Sequence, residues 1–235
     1  MSCQRKYKIL KKVTYSPFLK NKIAKKCVPR KLIICHGRAC KRSFVRRDEY
    51  TLFLDHSQRI EPDIRANIHW VHKKKPKYLK SQFRYMTSIY APICLFFNKP
   101  LNYLTFNSIK VSKNIHGIGR KLEFHDQDGN FLVSKFLNSK VHFHQDFMKS
   151  LLYMLEVGGK FEFTDNFIFA HYKSENTISD DDAIKIFQKM LGNKSQYFNI
   201  NIETKSKCIN YQKKAKECRW NKDKFMVLTK VKEFF

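Results

Sequence analysis

From Phe143 onward the chain alternates between helical and strand periodicity, and this alternation restricts the possible folds more than any other feature. Phe147, Leu151, Leu152 and Leu155 recur at helical spacing between Phe143 and Leu155, with Met148 and Met154 widening the apolar face. Gly158-Gly159 follows, as expected of a helix C-cap where the chain takes positive φ. Lys160 to Phe163 then predicts a strand. A second helix is predicted over Asp180 to Leu191, where Asp180, Asp181 and Asp182 complement the helix dipole and Gly192 follows the end. Two late strands are expected, Tyr197 to Ile202 and Phe225 to Val231. The basic loop between them carries Cys208, Tyr211, Lys213, Lys214, Lys216, Arg219 and Trp220. Strands alternating with helices imply an α/β fold with a mainly parallel sheet and ligands at the carboxyl ends of its strands.

The first half supplies the other strands. Leu32-Ile33-Ile34-Cys35, closed by His36-Gly37, reads as a buried strand, and Tyr50 to Leu54, ending in Asp55, reads as a second. Pro62 to Ile68 predicts a third, and Met86 to Phe97 a fourth, interrupted at Tyr90-Ala91-Pro92. The basic stretch from His72 to Arg84 is expected to be helical toward its end. Leu122-Glu123-Phe124 and Phe131-Leu132-Val133 flank an Asp-Gly turn, which predicts a hairpin within an insertion at about residues 100–140. Residues 1–30 read as a basic N-terminal arm ahead of a domain spanning 31–235. The arm is expected either to pack on the domain through a short strand or helix, or to stay mobile.

Charge narrows the partner. Lys and Arg total 47 against 20 Asp and Glu, a formal net charge of +27, and the 47 residues before Asp48 hold 16 cations and no acid. Such a balance repels itself unless a polyanion neutralises it. Nucleic acid does so with release of condensed counterions. A basic tail for import, an anionic membrane surface and plain solubility are the competing readings. Two clusters carry the nucleic-acid reading. The first is Arg38, Lys41, Arg42, Arg46 and Arg47. The second is Lys73, Lys74, Lys75 and Lys77, with Lys80, interleaved with Trp70 and Tyr78 in the manner that suits single strands. For any one lysine a solvated surface position explains as much.

Seven scattered cysteines without a CxxC pair predict free thiols, no disulfide framework and no metal site. Cys35, His36 and Cys40 form the nearest cluster, but adjacent strand residues point to opposite faces, which spoils tetrahedral geometry. His142 and His144 are expected to be surface or cap residues at a helix start. The most apolar run, Ile89 to Phe97, is too short to cross a bilayer, so no membrane partner is expected. The protein is expected to be soluble and intracellular, in cytoplasm or nucleus. The Lys-, Asn-, Ile- and Phe-rich usage looks like an AT-rich genome, and a divergent domain of this kind resembles those of large DNA viruses.

The order of these signals resembles the class I S-adenosylmethionine-dependent methyltransferases, a Rossmann-like family, over residues 31–235 with 100–140 unmatched. Leu32 to Gly37 looks like the first strand and glycine turn, where the family binds the methionine end of the cofactor. Tyr50 to Asp55 looks like the second strand, whose terminal acid holds the ribose hydroxyls. Pro62-Asp63-Ile64 with Asn67 resembles the segment lining the adenine side. Leu155-Glu156-Val157-Gly158-Gly159-Lys160-Phe161 is similar to the family's helix-to-strand corner, and the closing strands fit its antiparallel last pair. The resemblance implies S-adenosylmethionine as cofactor near Gly37, Asp55 and Asn67.

Departures from the family bear on activity. The first turn holds one glycine, where the family carries two or three, and the cations Arg38, Lys41 and Arg42, which suit a phosphate better than a sulfonium. Ser88-Ile89-Tyr90-Ala91-Pro92 lacks the polar acceptor of enzymes acting on base amino groups. Lys135, Asp146 and Glu162 are the candidates for a ribose-methylating tetrad, and they do not assign a catalytic residue. Two functional classes follow. One is a degenerate, non-catalytic methyltransferase-like protein that binds RNA or DNA through a basic face, as a subunit with a protein partner or as a packaging protein. The other is an active RNA or DNA methyltransferase.

Overall fold

A computed structural model of the chain describes residues 12–17, 19–20, 30–34, 50–57, 61–88, 109–113, 120–124, 143–163, 179–209 and 219–234. Ten strands are described: β1 Thr14–Tyr15, β2 Lys31–Ile34, β3 Thr51–Asp55, β4 Ile64–Arg65, β5 Phe83–Ser88, β6 Ile109–Lys113, β7 Arg120–Phe124, β8 Leu155–Phe163, β9 Phe198–Ile209 and β10 Arg219–Lys230. The α-helices are α1 Val71–Lys74, α2 Gln145–Met154 and α3 Asp180–Leu191, with 3-10 turns at Ile68–Trp70, Lys77–Leu79 and Gly192–Tyr197.

Eight strands form one sheet in the order β1-β4-β3-β2-β5-β8-β10-β9. β2 runs parallel to β3 and β5, β3 to β4, and β5 to β8. The run β4-β3-β2-β5-β8 is the doubly wound order, with its switch point between β2 and β5. β10 then enters antiparallel between β8 and β9. This is the Rossmann-like sheet with an antiparallel last pair that the sequence anticipated. Thr14–Tyr15 adds a short antiparallel edge to β4, and Leu19, just beyond it, is fully buried.

β2 and β3 are buried along nearly their whole length, as parallel strands covered on both faces must be. On α3, Ala183, Ile186, Phe187, Met190 and Leu191 are buried at helical spacing, and the Ser179 hydroxyl accepts the amide of Asp182 at 3.1 Å as N-cap. Phe143, Phe147, Phe161, Phe163 and Phe187 join α2, β8 and α3 through ring contacts of 5.2–6.4 Å. Each fully buried ring contributes about 1.5–3 kcal/mol of transfer free energy.

Several expected boundaries move. Gly158-Gly159 does not cap a helix. α2 stops at Met154, and the pair lies within β8, where residues 156–159 bulge opposite Arg84 while Phe83↔Leu155 and Tyr85↔Lys160 stay paired. Gly158 has φ +80°, and a Cβ on Gly159 would lie 2.8 Å from the Glu156 carbonyl and 2.9 Å from that of Phe83. The end of α2 is satisfied instead by Lys230. Its fully buried ammonium donates to the carbonyls of Leu152 (3.0 Å) and Leu155 (2.8 Å) and to Glu233 Oε2 (2.8 Å).

The third expected strand shrinks to Ile64–Arg65, because Asn67 caps a 3-10 turn. The basic stretch after it is helical at its start, not its end. β5 begins at Phe83, and the continuation of the fourth strand beyond Ser88 lies outside the described residues. Among the described residues Leu122–Phe124 pairs with the preceding β6, and the Asp-Gly turn with Phe131–Val133 lies outside them. The closing strands are longer than expected, so Cys208, Arg219 and Trp220 belong to strands and not to the loop.

Candidate functional site at the carboxyl edge of the sheet

The carboxyl ends of β2, β3, β4, β5 and β8 lie on one edge of the sheet, where doubly wound folds bind ligands. Asp55 ends β3 and is buried. Its Oδ1 accepts the Ser57 amide at 2.9 Å and lies 3.2 Å from His56 Nδ1, while its carbonyl accepts the Ala66 amide at 3.0 Å. The last contact brings Asn67 to the same edge. Asn67 Oδ1 accepts the His69 amide at 3.0 Å and so caps the turn Ile68–Trp70. Asp63 is a strut: buried, it accepts the Phe53 amide at 3.0 Å through Oδ2 and the Ser16 hydroxyl at 3.5 Å through Oδ1. At the switch point, the buried hydroxyls of Thr87 and Ser88 have no hydrogen-bond partner among the described residues.

Beside Asn67 lies a network that the sequence did not announce. The Ser150 hydroxyl oxygen, fully buried on α2, accepts the backbone amide of His72 at 3.1 Å and lies 3.1 Å from His72 Nδ1. His72 Nε2 lies 3.3 Å from Asp146 Oδ1, and Lys73 donates to Asp146 Oδ2 at 2.6 Å. Burial, first of all, lowers the His72 pKa, with Lys73 and Lys149 adding to the shift and Asp146 opposing it. In its neutral form the imidazole places Nε2–H toward Asp146 and leaves Nδ1 to accept from the serine hydroxyl. Burial alone would raise the Asp146 pKa, but the hydrogen bond and charge of Lys73, with His72 and His144, hold it below the ordinary carboxylate value. The connectivity Ser–His–Asp resembles a nucleophilic triad. Its serine is sealed from solvent and already accepts an amide, so it acts as a brace between α1 and α2.

His144 Nδ1 accepts the Asp146 amide at 3.2 Å as N-cap of α2, the cap role expected of it. The His144 ring stacks on His69 at 4.3 Å. Lys73 also stands 4.8 Å above the Trp70 ring, a cation–π contact. Of the expected phosphate-contacting lysines, Lys73 is thus already engaged by Asp146 and Trp70, while Lys74, Lys75 and Lys77 are exposed on the stretch that follows. Lys75 takes φ 43° and ends α1 in place of a glycine. Gly37, Arg38, Lys41, Arg42, Arg46 and Arg47 lie outside the described residues, as do Tyr90, Pro92, Lys135 and His142. Glu162 is buried near the end of β8. Among the described residues no group of three or more His, Cys, Asp or Glu side chains converges to hold a metal, and no helix is long and apolar enough to cross a membrane.

No protein-family model matches this chain, and no curated protein does. Solved structures resemble it at low identity. A 16S rRNA (adenine(1408)-N(1))-methyltransferase from Catenulisporales acidiphilia is 10% identical over 94% of this chain and 95% of its own, with a TM-score of 0.47. A 30S ribosomal methyltransferase from an uncultured bacterium is 12% identical over 95% and 98%, with a TM-score of 0.38. The antibiotic-resistance methyltransferase Kmr is 10% identical over 94% and 96%, with a TM-score of 0.40.

Proposed function

We propose that the chain is a nucleic-acid-binding, methyltransferase-like protein whose role is non-catalytic, working in cytoplasm or nucleus against RNA or DNA and beside a protein partner. The observation that carries this reading is the +27 net charge on a methyltransferase-type sheet. Cations outnumber acids by 47 to 20, and Lys74 stands exposed on α1. Phosphates supply the missing negative charge. The polar groups of the cofactor edge support the same reading. Asn67 is occupied as a cap and Asp55 Oδ1 as the acceptor of its own turn.

The second reading, an active S-adenosylmethionine-dependent RNA or DNA methyltransferase, is favoured by one observation. The buried Thr87 and Ser88 hydroxyls at the switch point have no hydrogen-bond partner among the described residues, and a ligand there could satisfy one of them. In that case Asp55 would hold the ribose hydroxyls, Asn67 and Gly37 would line the site, and the cofactor would supply an electrophilic methyl group.

Thermal unfolding with millimolar S-adenosylhomocysteine separates the readings. No shift in the wild-type protein supports the non-catalytic binder. A ligand-induced stabilisation that Asp55→Ala abolishes, each shift being read against the same protein's own melting temperature without ligand, overturns it in favour of the enzyme.

A further inference from the structure

Among the described residues two lysines are buried, and they are satisfied differently. Lys230 is sealed at the end of α2, where two carbonyls and the Glu233 carboxylate take all three of its N–H donors. Lys194, in the turn that follows α3, is 7% exposed. Its ammonium donates to two neutral oxygens, Gln145 Oε1 and, at 3.4 Å, Asn193 Oδ1. Among the described residues no carboxylate reaches it, and its third N–H has no acceptor.

The charge that acts on Lys194 is of its own sign. Gln145 and Lys149 stand four residues apart on α2 and so share one of its faces, and Gln145 is the residue that Lys194 touches. Lys149 is partly buried, and among the described residues no carboxylate pairs with it either. Burial first, and then the charge of Lys149, lowers the Lys194 pKa. A buried ammonium is ordinarily paired with an acid, and a second ammonium beside it makes its burial more unfavourable still. The cover over it is thin. Gln145 and Asn193 are both exposed, so their carboxamides can turn outward without opening the core.

We propose that Lys194, Lys149, Gln145 and Asn193 form a binding site for a phosphate group. An anion between the two ammoniums gives Lys194 the acceptor that its third N–H lacks and cancels the repulsion from Lys149. Charge-assisted hydrogen bonds of this kind are about twice as strong as those to neutral amides, so a phosphate oxygen displaces an amide oxygen. The carboxamides then turn their NH2 groups, two donors each, toward the same ligand. Donors arriving from two elements, α2 and the turn after α3, suit a tetrahedral oxyanion, whose oxygens point in several directions. The site does not depend on the nucleic-acid reading above. Its ligand is either a backbone phosphate or a free phosphate or phosphomonoester, and the chemistry of the contact is the same.

The test titrates inorganic phosphate into the full-length protein by calorimetry, at constant ionic strength set with sodium chloride. The wild type is compared with Lys194→Met, which keeps the apolar stem, and with Lys149→Gln. Lys185→Gln, at an exposed position of α3, is the control that removes one charge elsewhere. We expect saturable binding to the wild type, weakened at least about tenfold in Lys194→Met and in Lys149→Gln by the loss of one charged hydrogen bond, and unchanged in Lys185→Gln. A wild type without saturable phosphate binding overturns the proposal. So does equal affinity in all four proteins, or a loss in Lys185→Gln as large as in the other two, which is the response of net charge alone. If Lys194→Met does not fold, the wild type, Lys149→Gln and Lys185→Gln decide by the same criteria. A short single DNA strand then identifies the source. A strand that competes with phosphate on the wild type, and binds Lys194→Met or Lys149→Gln more weakly, marks a backbone phosphate. One that leaves phosphate binding unchanged marks a free phosphate or phosphomonoester.

Discussion

Changing Ser150 to Ala tests the brace that holds the helical side of the candidate site. The Ser150 hydroxyl is fully buried and serves His72 twice, accepting its backbone amide and lying against Nδ1, both at 3.1 Å. His72 is the second residue of α1, which continues directly from the turn Ile68–Trp70, and its amide bonds across to α2. Ser150 thus braces α1 from the neighbouring helix. Alanine leaves a buried amide and a buried ring nitrogen without partners, each costing about 1–3 kcal/mol. The slight exposure of His72, 8%, lets water relieve part of this. A net loss of about 3 kcal/mol corresponds, for a chain of this size, to a fall in Tm of about 6–12 °C. Calorimetry of the two proteins in one buffer measures it, and NMR titration of the His72 ring supplies a second readout. In the wild type that ring titrates below its ordinary value. In S150A its pKa rises, because the neutral form has lost the donor to Nδ1. A Tm unchanged within a degree, or a wild-type ring titrating above its ordinary value, refutes the neutral brace.

Lys230→Met keeps the apolar stem and removes the ammonium that donates to the Leu152 and Leu155 carbonyls, and we expect a loss of about 2–3 kcal/mol, read as a lower denaturant midpoint at unchanged slope. Gly159→Ala forces a Cβ against two backbone oxygens and lowers stability by about 1–3 kcal/mol, whereas Gly158→Ala meets open space and is penalised only by its positive φ; equal Tm losses would contradict the bulge geometry. In the acid range stability depends on pH through two groups whose folded pKa values are lowered, His72 and Asp146, so the unfolded chain binds the extra protons. The Tm falls as pH drops below about 6.5, where unfolded histidine protonates, and again below about 4, as Asp146 takes its proton. Asp146→Asn removes the second phase from an acid titration followed by circular dichroism, and a Tm that rises on acidification would reverse the assignment.

Elements were legible where their determinants are local. Ser179, the three aspartates and Gly192 bracket α3 within one short stretch, and its bounds are those expected from the sequence. The runs of β2 and β3 declare buried parallel strands, and Asp55 stands at the end of β3 where the pattern put it, whereas Asn67 lies past β4 as the cap of a 3-10 turn. Boundaries failed where the deciding partner is distant. Gly158-Gly159 looks like a helix cap because glycines follow an apolar helix. The real cap is an ammonium 78 residues from Leu152 and 75 from Leu155, which no local pattern reports. The Ser150–His72 contact spans 78 residues as well. His144 two residues ahead of Asp146 was a readable cap signal, whereas a serine mid-helix among apolar neighbours carried none.

The same distinction explains why the charge was silent about the site. A lysine's local sequence does not tell whether its ammonium faces water, a carboxylate or a carbonyl. Lys73, Lys74 and Lys230 are alike in sequence terms, yet one is paired to Asp146 over an indole, one is exposed and one is sealed in the core. What the fold decides is which cations are neutralised internally. Lys230 and Lys73 are, by a helix end and by a carboxylate. Each cation neutralised inside the protein is one fewer for an external polyanion to hold. The acids are too few to do the same for most of the rest, with 20 set against 47 cations. The surplus must therefore be balanced from outside, by mobile counterions or by a polyanion.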